Sequence, residues 1–291
     1  MRFSYRQKII AVTGGAGGIA GAFIRPAAAR GATIAVIDIR AEKAKAVAGA
    51  LPGTTHRGYA CDLTVESEVE ALIAQLADDH GRIDVLVNNV GMTSSERFDE
   101  RSVESIRREI EVNLLSPLVL TRLALPLLRS SNDPRIVTTV SLGGIFPLGE
   151  TPIYTASKFG LRGAMLAIGL DLAAKGITAG SVLPSATDTN MLRREAVEGG
   201  NSLQFQDAPQ SPTVVARAIM RLLDKPRLEI YPRPAESRLV RAAMLAPNAL
   251  PTAMKLFRRR GEKGMAAYVA RLEREGAVVR RNGVPVLVED S

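Results

Sequence analysis

Cysteine is almost absent from this chain. Cys61 is the single one among 291 residues, so no disulfide can close within the chain and no cysteine-based metal site can assemble. Histidine is nearly as scarce. His56 and His80 stand apart with no His-Glu motif around them, which leaves no ligand set for a metal-dependent hydrolase, and no metal is expected. Tryptophan is missing and aromatics total 4%. No nucleic-acid-binding motif accompanies the positive charge, so nucleic acid is not an expected partner. No segment offers the roughly 18–20 uninterrupted apolar residues of a membrane-spanning helix. The polar start, Met1 to Lys8, lacks the apolar core and cleavage pattern of a signal peptide. The expected compartment is the cytoplasm.

Acidic residues are under-represented, but unevenly. The net charge is +8. Residues 1–231 hold 26 Lys/Arg against 24 Asp/Glu, whereas residues 232–291 hold 12 against 6. The basic surplus therefore sits in a C-terminal extension. Hydrophobic residues at 46% are enough for a substantial core.

Short apolar runs alternate with longer helical patterns. Lys8–Thr13, Thr33–Asp38, a weaker segment near His56–Asp62, Ile83–Asn88, Arg135–Ser141, Ile177–Pro184 and Leu228–Tyr231 read as strands. Helical stretches fall near 18–30, 41–50, 65–79, 102–129, 154–175 and 211–223. The strands are continuous apolar runs, as expected of parallel strands covered on both faces. Repeated β-α units predict an α/β fold: a doubly wound, Rossmann-like parallel sheet of about seven strands with helices on both faces and a helical C-terminal extension. The expected organisation is a catalytic domain over 1–231 and a basic helical extension over 232–291, with Pro232 and Pro234 at the boundary. Pro26 predicts a bend or an irregular start in the first helix, and Pro117 and Pro126 raise the same issue after Asn113. Residues 185–210 lack clear periodicity and read as a loop or mobile lid.

Thr13-Gly14-Gly15-Ala16-Gly17-Gly18-Ile19-Ala20 follows the first strand and opens the first helix. Glycines suit a tight turn whose backbone must approach a pyrophosphate, which the helix N-terminus then meets with free N–H groups. Asp38 lies twenty residues after Gly18, at the end of the second strand, where an acid accepts hydrogen bonds from an adenosine ribose. A carboxylate there repels a 2′-phosphate, and Arg40 is the one nearby cation. NAD is the expected cofactor and NADP the less favoured one.

Tyr154-Thr-Ala-Ser-Lys158 begins a later helix. A spacing of four puts Tyr154 and Lys158 on one helix face. A free phenol titrates near 10, and a neighbouring ammonium is expected to lower that value. Such a pair can take a proton from an alcohol while hydride leaves. The plain alternative is a surface Tyr/Lys pair.

The order of these motifs, together with Asp62, Asn88-Asn-Val-Gly91, Asn113, Ser141 and Pro184-Ser-Ala-Thr-Asp-Thr189, resembles the short-chain dehydrogenases/reductases over residues 6–231. The resemblance implies Tyr154 as general acid/base and Ser141 as the hydrogen-bonding partner of the substrate oxygen. It implies Lys158 on the nicotinamide ribose and Asn113 positioning a relay water. Gly14, Gly17, Gly18 and Ile19 would cradle the pyrophosphate. Asp62 and Leu63 would lie by the adenine, and Asn89 and Gly91 along the adenosine side. Pro184, Thr187 and Thr189 would lie near the nicotinamide carboxamide. Ala20, Val90 and Ser185 depart from the family's usual residues, but none removes a reacting group.

Met92, Ile145, Phe146, Pro147, Leu148, Met191 and Leu192 are the expected substrate walls, which suits a hydrophobic secondary alcohol or ketone. The family's habits imply a homodimer or homotetramer. The basic amphipathic stretch 238–260 could touch an anionic membrane surface, but packing over the substrate mouth or a neighbouring subunit is the favoured reading. Competing functions are an NADP(H)-dependent carbonyl reductase and a non-catalytic cofactor-binding or membrane-surface protein.

Overall fold

The computed structural model describes residues 2–288, with Ala253 and Leu256 described as backbone only. Met1 and residues 289–291, the outer ends of the two expected domains, lie outside the described residues. Seven strands form one parallel sheet in the order β3-β2-β1-β4-β5-β6-β7. They are β1 (Ile9–Thr13), β2 (Thr33–Asp38), β3 (Arg57–Ala60), β4 (Val85–Asn88), β5 (Arg135–Thr139), β6 (Thr178–Val182) and β7 (Glu229–Ile230). All seven runs expected from the sequence are present, β2 with the bounds expected and the others shortened at one or both ends.

Alternate side chains along a strand point to opposite faces. Ile10 and Val12 of β1 and Ile34 and Val36 of β2 enter one core cluster, while Ala11, Ala35 and Ile37 enter the other. Helices α1 (Gly18–Ala28) and α8 (Pro212–Asp224) cover the first face. Helices α3 (Glu66–His80), α5 (Ser116–Arg129) and α6 (Pro152–Ala173) cover the second. The edge is completed by α2 (Ala41–Gly49), packed against β2 and β3. Chain order reverses between β1 and β4, which opens a crevice at the strands' carboxyl ends.

The prolines cost less than the sequence suggests. α1 runs through Pro26 and ends two residues later, so only one intrahelical bond is missing. Pro117 falls in the first turn of α5, where its absent N–H has little to lose. It follows α4 (Val103–Ile110) and a single wide π-helical turn, Glu111–Leu115, that carries Asn113. The whole run Val103–Arg129 is long and apolar enough, by composition, to cross a membrane, which the sequence reading did not anticipate. Here Leu120, Ala124 and Leu128 are fully buried under the sheet, so the apolarity serves the core.

One expectation is corrected and another extended. Residues 185–210 are not a plain loop: they hold α7 (Asn190–Val197) and a 3-10 turn, Ser202–Phe205. Leu192, Ala196 and Phe205 form a third apolar cluster with Tyr268, Val269, Leu272 and Val278, all from the C-terminal extension. The stabilising partner lies about 75 residues away, so local periodicity could not show the helix. The extension is helical, as expected, with an added strand pair at its end. After α9 (Pro234–Ala243) and α10 (Leu250–Arg274) it closes with an antiparallel hairpin, β8 (Val278–Arg281) and β9 (Val284–Leu287). Asn282 and Gly283 turn it with φ of 51° and 80°, the left-handed pair that a two-residue hairpin turn requires.

Candidate active site

The crevice between β1 and β4 opens into a cavity of about 790 Å³. All the residues expected to bind a dinucleotide line it: Gly14, Gly17, Gly18, Ile19, Asp38, Asp62, Leu63, Asn89, Gly91, Tyr154, Lys158, Pro184, Thr187 and Thr189. Ser141 lines it too, while Asn113 sits just behind.

The glycine turn is built for close approach. Gly14 has φ of 60°, and a Cβ there would press on Val90 Cγ2 at 3.3 Å. The Gly15 and Ala16 N–H groups are already spent, on Ile37 O and on Asp38 Oδ2. Among the described residues the first-turn N–H groups of Gly18 and Ile19 have no such partner, and no side chain caps α1. They face the cavity as an anion site at a helix N-terminus. Thr189 closes over this turn, since a Cβ on Gly18 would meet Thr189 Cγ2 at 3.4 Å.

Asp38 is buried at the end of β2 and accepts from Ala16 N at 3.3 Å and Arg40 N at 3.2 Å. The Arg40 guanidinium leans back on it at 3.6 Å. Asp62 is tied by Thr64 and by Arg108, whose Nη2 lies 3.2 Å from Oδ2. Burial pushes the Asp62 carboxyl up, but the Thr64 and Arg108 bonds more than offset it and the net direction is down. The sequence reading missed Arg108, because only the fold brings α4 to Asp62 and Thr64 in the turn after β3.

Tyr154 and Lys158 lie one turn apart on α6, both buried. The Lys158 side chain is 3% exposed, yet its Nζ has no hydrogen-bond or ion-pair partner among the described residues. Burial pushes the ammonium down to about 8, with Glu109 opposing. An unpaired buried ammonium is costly. Ribose hydroxyls are the groups that would satisfy it here. A Cβ on Gly91 would lie 3.4 Å from Lys158 Nζ and 3.5 Å from Asn113 Oδ1, so glycine leaves that space open. Asn113 is fully engaged: Oδ1 accepts from Met92 N at 2.8 Å, and Nδ2 donates to Met92 O and Ser157 Oγ. Its amide therefore holds the chain after Gly91 in place. Ser141 Oγ accepts from Gly143 N at 2.9 Å and lies at Gly143 together with the Tyr154 ring. The loop 184–189 is held by Gln210, whose Nε2 reaches Ser185 O, Ser185 Oγ and Thr187 Oγ1.

The expected fall in the Tyr154 pKa is not what the chain alone produces. Burial pushes it up to about 12, with the Ser141 hydroxyl opposing and Glu195 and Glu109 adding to the rise. Lys158, itself depressed, does not reverse this. The other four tyrosines rise as well: Tyr5 and Tyr231 to about 12, Tyr59 and Tyr268 beyond that, each chiefly through burial. A phenol that titrates higher in the fold than its ordinary value of about 10 adds stability below that pH and loses it as pH rises toward about 12. Tyrosinate absorbance is therefore expected to appear together with loss of circular dichroism, above pH 10. A gradual titration centred at about 10 with the dichroism intact would contradict this burial pattern.

Of the expected substrate walls, Met92, Met191 and Leu192 line the cavity. Ile145 is instead buried in the second core cluster, and Phe146, Pro147 and Leu148 lie outside the lining. The turn after Ser141 folds back against α6, although Leu148 Cδ1 stays beside Tyr154 Cε1 and Ser141 Oγ around Gly143. In their place come polar groups the sequence reading missed, Thr93, Glu195 and Gln204.

A family model described as short chain dehydrogenase matches residues 8–198. The chain belongs to the short-chain dehydrogenase family. It is thus an oxidoreductase working between CH–OH and keto groups. A D-threitol dehydrogenase of Mycolicibacterium smegmatis is 30% identical over 191 residues, 65% of this chain and 74% of that protein. A 3beta-hydroxysteroid dehydrogenase of Mediterraneibacter gnavus is 31% identical over 197 residues, 67% of this chain and 71% of that protein. Among solved structures, a short chain dehydrogenase/reductase from Burkholderia phymatum in complex with NAD superposes with a TM-score of 0.77 at 21% identity, covering 84% of this chain and 96% of that one.

Proposed function

We propose that this short-chain dehydrogenase moves hydride between NAD(H) and a secondary alcohol or ketone, with Tyr154 as the acid/base. The observation that carries the reading is the Lys158 ammonium, buried beside the Tyr154 ring with no hydrogen-bond or ion-pair partner among the described residues. When bound, the nicotinamide accepts or supplies the hydride. The chain's own residues do the rest. Gly18 and Ile19 present N–H groups to the pyrophosphate, and Asp38 accepts from the adenosine ribose. Lys158 takes the second ribose. Ser141 holds the substrate oxygen, and Tyr154 exchanges the proton with it. Met92, Met191 and Leu192 exclude water and fit an apolar body.

Asp38 supports NAD over NADP, since its carboxylate repels a 2′-phosphate and Arg40 is already leaning on it. Reduction of NAD and of NADP, followed by absorbance with a panel of secondary alcohols, tests both halves. NAD is expected to be preferred. Asp38→Ser is expected to lower kcat/KM for NAD about tenfold or more, the worth of one charged hydrogen bond, and to raise it for NADP. A wild-type preference for NADP would overturn the cofactor assignment.

A further inference from the structure

The substrate end of the cavity is not uniformly apolar. Glu195, on α7, is 3% exposed yet lines the cavity with Tyr154, Ser141 and Leu192. Its Oε1 is fixed by Gln204 Nε2 at 2.6 Å and Asn201 N at 3.1 Å. No donor among the described residues reaches Oε2, and no cation pairs with the group. Burial pushes the carboxyl up to about 7, with the Asn201 and Gln204 bonds opposing and Glu109 and Glu150 adding to the rise. A carboxylate oxygen open to the cavity can accept from a bound molecule. Holding Glu195 as a strut for the 201–204 turn needs only Oε1. Oε2 is left facing the space a substrate would fill.

We propose that Glu195 anchors a second hydroxyl of the substrate, which is therefore a diol or a hydroxyketone. The reacting carbinol sits at Tyr154 and Ser141, the remote hydroxyl donates to Glu195 Oε2, and the apolar body lies against Met92, Met191 and Leu192. This rests on the hydride-transfer reading above and names the class of molecule it acts on.

The test pairs open-chain secondary alcohols with diols of the same skeleton, the second hydroxyl placed at successive carbons. Assays run at about pH 8.5, where a carboxyl titrating near 7 is ionised. At least one diol is expected to exceed its mono-alcohol about tenfold or more in kcat/KM, the worth of a hydrogen bond to a charged group. Glu195→Leu is expected to bring that ratio to about one. Glu195→Gln is more telling. Its amide oxygen will take the two donors and turn its NH2 to the cavity, where a hydroxyl and its methyl ether can both accept, so the strong preference of the wild type for the diol over its methyl ether should fall to about one. A strut alone would produce no such levelling. Ratios near one across the panel in the wild type, a ratio unchanged in Glu195→Leu, or an amino alcohol outcompeting every diol would each overturn the proposal. Calorimetry of diol and mono-alcohol binding to the NAD-loaded protein separates it from the reading beneath it. A diol preference in binding with no turnover removes the hydride-transfer reading and leaves the anchor standing. Turnover without the preference removes the anchor alone. NADH affinity and melting temperature of each variant report whether it folds.

Discussion

Tyr154→Phe is expected to lower kcat about a thousandfold in both directions while leaving NADH affinity within about threefold, because general acid–base catalysis contributes roughly two to four orders of magnitude and little to cofactor binding. The substitution removes one oxygen from a buried ring and keeps its packing. The ring stands over Gly143, where even a Cβ would meet Tyr154 Cε1 at 3.1 Å, so the phenyl has no room to swing aside. The hydroxyl is protonated at neutral pH, since burial holds it at about 12. In that state it is a ready acid for ketone reduction. Alcohol oxidation needs the phenolate, which becomes more populated as pH rises toward that value. Wild-type oxidation is thus expected to accelerate from pH 7 to 9 while reduction does not, with stopped-flow absorbance reading both. A Tyr154→Phe enzyme with more than a tenth of wild-type turnover would remove Tyr154 from the chemistry.

Gly264→Val is expected to lose substrate-side function and about 3 kcal/mol of stability, the upper part of the overpacking range. α10 lies directly on the backbone of the Ser202–Phe205 turn. A Cβ on Gly264 would fall 1.9 Å from Phe205 O, and one on Gly261 would fall 2.3 Å from Ser202 O. Neither oxygen is the end of a flexible side chain, so the helix must lift. Lifting it also withdraws Arg271 and Tyr268 from Asp188, between Thr187 and Thr189, where Tyr268 Oη donates at 2.8 Å. The expected result is a raised KM for substrate and a lower melting temperature, with a smaller loss of NADH affinity because the glycine turn and Asp38 are untouched. Gly163→Val serves as the control, since a Cβ there meets nothing within 4 Å. Equal behaviour of the two variants would show that α10 does not need its close seat.

The central strands were legible because β1, β2 and β4 are continuous apolar runs bounded by turn residues, whereas β3, Arg57–Ala60, gives only a weak signal because it lies at the sheet edge with mixed residues. Asp38, Tyr154 and Lys158 were legible because the spacing that gives them chemistry is local, one turn of helix or one β-α unit. What escaped is what distance builds. α7 has only eight residues, and its apolar side is explained by Tyr268 and Leu272 far along the chain. Glu195 and Gln204 read as ordinary polar residues until α10 presses that segment against the cavity. Ile145 looked like a pocket wall because it follows Ser141, but the backbone turns it into the core. The terminal hairpin was missed in spite of a visible signal, the Asn282-Gly283 pair between apolar runs.

The glycine seat of α10 has a bearing on how such an enzyme diversifies. Gly261 and Gly264 face main-chain oxygens of residues 202 and 205, atoms that every amino acid supplies alike. At these two points the outer segment grips the rim of the pocket independently of the side chains there, beside the side-chain packing of Leu192, Ala196 and Phe205. Mutation can redraw rim residues outside that cluster, such as Met92 and Met191, and with them the choice of alcohol, without forfeiting the grip.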